Sequence, residues 1–144
     1  MDDALDRRPA GTDDATVAAV GKLSEAMEYV IRARGRLYDL HQLVGRADLL
    51  LDEAVEGLRT AGHEALADEI GKGLVGRNVL PGRWTFQITE EFDDGYYAAF
   101  AEADRRARDE LMGGRRHVHE AAMKRDRRTP DGHESTPDEH AARS

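Results

Sequence analysis

The sequence predicts an all-α protein: an elongated antiparallel helical hairpin that dimerises into a four-helix bundle. Three observations predict it. Apolar residues recur every seven positions through the first half of the chain. A second helical period, acidic at its start and basic at its end, runs through the last third. Between them lie a short helical stretch and a Pro-Gly turn rich in aromatics.

Residues 1–12 contain Pro9 and Gly11 and no apolar period, so they read as a flexible leader. Asp13 or Asp14 can cap the first helix, because a carboxylate accepts the orphan amide hydrogens of a first turn. The helix is expected from about Ala15 to Ala61. Leu23, Val30, Leu37, Val44, Leu51 and Leu58 stand at heptad position a. Ala26, Ala33, Leu40, Ala47, Ala54 and Ala61 follow at d. Gly21, Gly35, Gly45 and Gly57 fall outside both columns, each costing about 1 kcal/mol against alanine. Gly35 and Gly45 are where a bend or break is expected, and Gly62 is the natural stop.

A short second helix is expected over His63–Leu74, with Leu66, Ile70 and Leu74 as its apolar edge. Pro81–Gly82 marks a turn. The alternating run WTFQI reads as a short extended piece. The second long helix is expected from Glu90 to Arg128. Its inward stripe is Phe92, Tyr96, Phe100, Ala103, Ala107, Leu111, Gly114 and Val118, and Gly113–Gly114 can kink it. Residues 13–128 then form one helical-bundle domain. Residues 129–144, polar and carrying Pro130 and Pro137, read as a disordered C-terminal tail. Tyr38, Leu43, Leu49 and Leu50 add a second apolar face to the first helix, which points to a homodimer.

Charged residues make up 35% and aromatics 6% of the 144 residues, a mixture that suits a bundle without a thick centre. With no cysteine, disulfide and thiol chemistry are excluded. The N-terminus lacks an apolar run and no stretch is long enough to span a membrane, so the expected location is cytoplasmic. Arginine far outnumbers lysine, of which there are three, as a high-G+C bacterial coding bias would give. The net charge of −8 disfavours nonspecific nucleic-acid binding. One basic stretch, Asp104–Arg128, holds 9 bases against 5 acids.

Six of the eight aromatics fall between Trp84 and Phe100. Arg77, Asn78, Arg83, Trp84, Phe86, Tyr96 and Tyr97 are the candidate binding patch, because rigid rings bury area cheaply and guanidinium pairs bidentately. The plain alternative is an aromatic plug capping the bundle's end. Arg34, His41 and Asp48 repeat at heptad position e. A polar triplet beside a seam can set dimer register or line a pocket; otherwise it is a solvated flank. His117, His119 and Glu120 do not share one helical face, and the chain has no Glu-x-x-His, so no metal is expected. No nucleophile elbow or phosphate loop is present, and no catalytic residue or cofactor is assigned. A Trp-bearing turn between helices resembles the small WXG-type secretion proteins. Here the turn reads Arg83-Trp84-Thr85-Phe86 and lacks the defining Trp-x-Gly, so that family is not carried over.

The expected function is therefore a non-enzymatic, cytoplasmic protein-interaction (adaptor) role through the aromatic and arginine patch of residues 76–97. The alternatives are an anionic small-ligand pocket or enzyme under the same turn, and nucleic-acid binding by the basic end of the last helix.

Overall fold

The computed structural model describes residues 8–127; residues 1–7 of the expected leader and the whole expected tail lie outside them. The described chain is helical: α1 (Asp14–Thr60), α2 (Glu64–Gly73), α3 (Thr85–Phe92), a π-helical segment (Asp93–Tyr97), α4 (Ala98–Leu111) and α5 (Val118–Arg127). Among the described residues there is no strand, only an isolated bridge between Leu80 and Arg83. No helix among them is long and apolar enough to cross a membrane.

α1 runs 47 residues without a break at any of its glycines. Asp13 is its cap, its carboxylate accepting from the Thr16 amide at 2.8 Å. At the other end, His63 N–H returns to Leu58 O (2.8 Å) and Gly62 N–H to Arg59 O (3.0 Å). That is a Schellman stop, and it needs the left-handed backbone that Gly62 supplies at φ 92°.

The covered stripe of α1 differs from the expected a/d seam. The a column is half-buried, but from Ala33 onward the d column is exposed. Column e is covered instead: Val20 and Met27 are buried, and Arg34, His41, Asp48 and Val55 half-buried. Columns a and e are four residues apart and form an equally good helical stripe. Alanines bury little area, so d offers little drive. The e column offers polar groups that the rest of the chain can bond.

Three further expectations are corrected. The edge of α2 is not Leu66, Ile70 and Leu74. Leu66 and Leu74 are exposed, and Ala67 is the buried residue. WTFQI is not extended; it opens α3, because Trp84 takes the extended N-cap conformation and Gln87 Oε1 accepts the Trp84 amide at 2.9 Å. The second long helix is interrupted twice. The π segment inserts one extra residue per turn, so the inward stripe moves on by one. Tyr97, Asp104 and Met112 face inward where Tyr96, Ala103 and Leu111 were expected. Left-handed backbone at Gly113, Gly114 and His117 then ends the helix outright, rather than kinking it, before α5 begins.

Contacts divide the chain into two units: residues up to Val30 together with those from Ala99 onward, and Ile31–Ala98. In the first, Val17, Val20, Met112 and Val118 form the core, with Ala107 against it. Asp104 is buried there and satisfied, accepting from Ser24 Oγ at 2.7 Å and Arg108 Nε at 3.3 Å. In the second, the buried residues are Ala67, Thr85 and Thr89.

Candidate functional site

The middle of α1 and the 74–86 segment build an open groove. Three polar ties hold that side of the unit in place. Asp48 Oδ1 accepts the Gly76 amide at 2.8 Å. His41 Nδ1 lies 2.7 Å from the buried Thr85 hydroxyl. Arg34 grips Asp93 with two guanidinium nitrogens, at 2.7 and 3.0 Å. Each comes from the e column of α1. Their partners run in reverse order, so the 76–93 segment lies antiparallel to α1 within this unit.

Gly76 is held at both of its backbone groups. Its N–H goes to Asp48 and its carbonyl accepts the Trp84 indole N–H at 3.1 Å. Its φ of 68° is the left-handed region, where a side chain is strained. Pro81–Gly82 closes a four-residue turn, with Arg83 N–H donating to Leu80 O at 2.9 Å. The turn delivers Trp84 back over Gly76, with Phe86 meeting it edge-on at 6.5 Å.

The resulting groove has a volume of about 810 Å³. Val44, Leu49, Leu51, Leu74, Val79, Trp84 and Phe86 make its apolar lining, and His41, Asp48, Arg77 and Asn78 are among its polar residues. Trp84 is 48% exposed, and Leu49, Leu74 and Phe86 are exposed beside it. Trp84 and Phe86 therefore do not bury themselves as a plug would, whereas Phe92, Tyr97 and Phe100 are half-buried.

The candidate patch is split. Arg77, Asn78, Trp84 and Phe86 line this groove. Arg83 and Tyr96 instead border a separate hollow with Leu80, Ile88, Glu91 and Phe92. Arg83 is bound to Glu91 (Nε–Oε1, 2.6 Å), and that bond raises its pKa. Tyr97 faces Arg34, whose guanidinium lies 4.6 Å from the Tyr38 ring centre and 5.1 Å from that of Tyr97. Of the e-column triplet, His41 and Asp48 line the groove and Arg34 does not.

Asp93 is a residue the sequence reading missed. Hydrogen bonds from Arg34 and then from the Tyr38 hydroxyl hold its carboxyl below the ordinary value. The same bond pushes the Tyr38 phenol up. Asp93 stands four residues on from the buried Thr89 and eight from the buried Thr85, so the period of α3 carries it to the face that meets α1.

In the other unit, His117 Nδ1 lies 3.8 Å from Glu120 Oε2, and His119 packs beside Gly21. Among the described residues no group of three or more His, Asp or Glu is placed to hold a metal ion. The arginines of α4 are paired with acids of the same helix: Arg105 with Glu102 and Asp109, Arg106 with Glu110, and Arg108 with Asp104. No protein family, curated protein or solved structure matches the chain.

Proposed function

We propose that this is a non-enzymatic, cytoplasmic, homodimeric interaction protein that uses the 41–86 groove to hold an apolar segment of another protein. The observation that carries this reading is the groove itself. It is open, lined mostly by aliphatic and aromatic side chains, and large enough for two or three side chains of a partner. Trp84, the single tryptophan, supplies a rigid anchor of the kind that dominates binding energy. Arg77, Asn78 and Asp48 sit at the polar margin, where they fix orientation more than affinity.

The anionic-ligand alternative is weaker. It called on Arg77 and Arg83, and Arg83 is spent on Glu91 away from the groove. The nucleic-acid alternative calls on the basic end of the last helix; the arginines of α4 before it pair with their own acids, and retention on DNA at low salt with a steep salt slope tests the bases that follow.

The test is a selection of amphipathic helical peptides against the immobilised protein, followed by titration. Binding is expected to change Trp84 fluorescence, and Leu49→Asp is expected to abolish it without changing helicity. Peptide binding that survives both Leu49→Asp and Trp84→Ala rejects the groove. A thermal shift with anionic metabolites but with no selected peptide returns the pocket reading.

A further inference from the structure

α1 carries a second apolar column that the described residues leave open. Leu40, Leu43 and Leu50 are 43%, 69% and 45% exposed, and none of the three lines the groove, which the same face touches only at Ala47. With Ala33, Ala47 and Ala54 they step along the helix by threes and fours, broken only by Arg36 in the first repeat. That is a heptad seam in columns d and g, beside the stripe the chain covers for itself. Along its outer edge stand Arg32, Asp39, Arg46 and Glu53, all exposed and seven residues apart, with Asp39 also 3.8 Å from Arg36 in a long, exposed pair on its own helix.

The order of charge along that edge selects the occupant. The signs alternate plus, minus, plus, minus. Read from the other end they are inverted. An identical helix laid antiparallel therefore sets Arg32 against Glu53 and Asp39 against Arg46, each pair occurring twice. A parallel copy in register sets like against like. The seam agrees. In the antiparallel arrangement Leu40 meets Leu43, Ala33 meets Leu50, and Arg36 meets Ala47, so large residues mostly face small ones. Both matchings place the two-fold axis beside Gln42, and such a self-matching patch is what an isologous interface requires.

We propose that α1 pairs antiparallel with α1 of a second copy of this chain, through Leu40, Leu43, Ala47 and Leu50, in the register that joins Arg32 to Glu53 and Asp39 to Arg46. This rests on the homodimer in the reading above and supplies its surface, direction and register.

The absence of cysteine makes the test clean. Positions 32 and 53 lie about 30 Å apart on one helix, at ~1.5 Å per residue, beyond the reach of a short bis-maleimide within a chain. The Arg32→Cys/Glu53→Cys double variant is expected to cross-link to a covalent dimer. Neither single variant is expected to do so alone, but an equal mixture of the two is. Cross-linking by either single variant alone, or none in the mixture, overturns the antiparallel register. Arg46→Asp is expected to raise the dimer dissociation constant about tenfold or more, and adding Asp39→Arg to restore it. Both positions are exposed, so folding is not at stake. A wild-type dimer by sedimentation that Leu43→Asp leaves intact places the interface elsewhere and overturns this inference, while the homodimer stands. A wild-type monomer at high concentration overturns both, leaving the groove to its own peptide titration.

Discussion

The two units close their hydrophobic surface in opposite ways. The unit that begins α1 and holds α4 and α5 gathers Val17, Val20, Met112 and Val118 into a small core and buries Met27 as well. The Ile31–Ala98 unit buries no large apolar side chain, and most of the exposed large apolar residues are in it. Its order comes from polar ties instead: Arg34 to Asp93, His41 to Thr85, Asp48 to Gly76, and Trp84 to Gly76. A hydrogen bond contributes only about 1 kcal/mol net, whereas burying a large apolar side chain contributes roughly two or three times that. The second unit is thus positioned without being sealed. An unsealed but well-positioned apolar surface is what a binding module needs, and a sealed core is what a support needs.

The sharpest way to break that comparison is to truncate one apolar residue in each unit. Met112, at 1% exposure, is the most buried large residue. Met112→Ala is expected to cost about 2–5 kcal/mol in urea unfolding, because the cavity has few ways to collapse. Leu49→Ala, at an exposed groove position, is expected to change stability by less than about 0.5 kcal/mol. Equal effects at the two sites would mean that the second unit has a core after all.

Gly76→Ala comes next. A side chain at this φ costs about 1–2 kcal/mol, and the strain would fall on the amide and carbonyl that Asp48 and Trp84 hold. A lowered Tm together with a red-shifted Trp84 emission is the expected signature. A Tm loss with unchanged emission would mean that Gly76 does not set the groove's shape. At the first helix start, Asp13→Ala removes the cap and is expected to cost about 1 kcal/mol, without touching Trp84 emission.

How much of this was legible in the sequence follows from what periodicity can report. The length of α1, its cap and its Gly62 stop were readable, because a heptad repeat and a cap are local signals. So was the aromatic cluster as a place of interest. The side of α1 that is covered was not readable. Columns d and e flank column a almost equally, and the choice depends on distant partners such as Thr85 and Asp93. The polar triplet Arg34, His41 and Asp48 reads as a solvated flank because Asp93, Thr85 and Gly76, the groups that tie it down, each lie more than 25 residues away. The inward face of α4 was misplaced by one residue because Asp93–Tyr97 is π-helical, and a one-residue insertion leaves the composition of the stripe unchanged. Groove residues Leu49 and Leu74 were seen as apolar excess or as a helix edge. Their convergence needed the chain to reverse at Gly62 and the Gly76 amide to reach Asp48, a bond 28 residues apart in sequence.

The smallest effect is expected from the Arg34–Tyr38–Asp93 cluster, and there the sign is the useful part. Asp93 binds its proton more weakly in the folded chain than its ordinary 3.8, first through Arg34 and then through Tyr38. Its contribution is therefore complete above that ordinary value and is lost as pH falls through the lower folded one. Tyr38 is shifted the other way, above its ordinary 10.0, chiefly because the neutral phenol donates to Asp93. Its share is complete below 10.0 and fades as pH rises through the raised value. Both groups stand partly in water, so solvent screening keeps each arm shallow. Asp93→Asn is expected to flatten the acid arm of a Tm–pH profile, and Tyr38→Phe to flatten the alkaline arm while sparing much of the acid one. If Asp93→Asn left the acid arm unchanged, the ties would not be what orders this unit, and its exposed apolar residues would need an ordering force that a partner, and not the chain itself, provides.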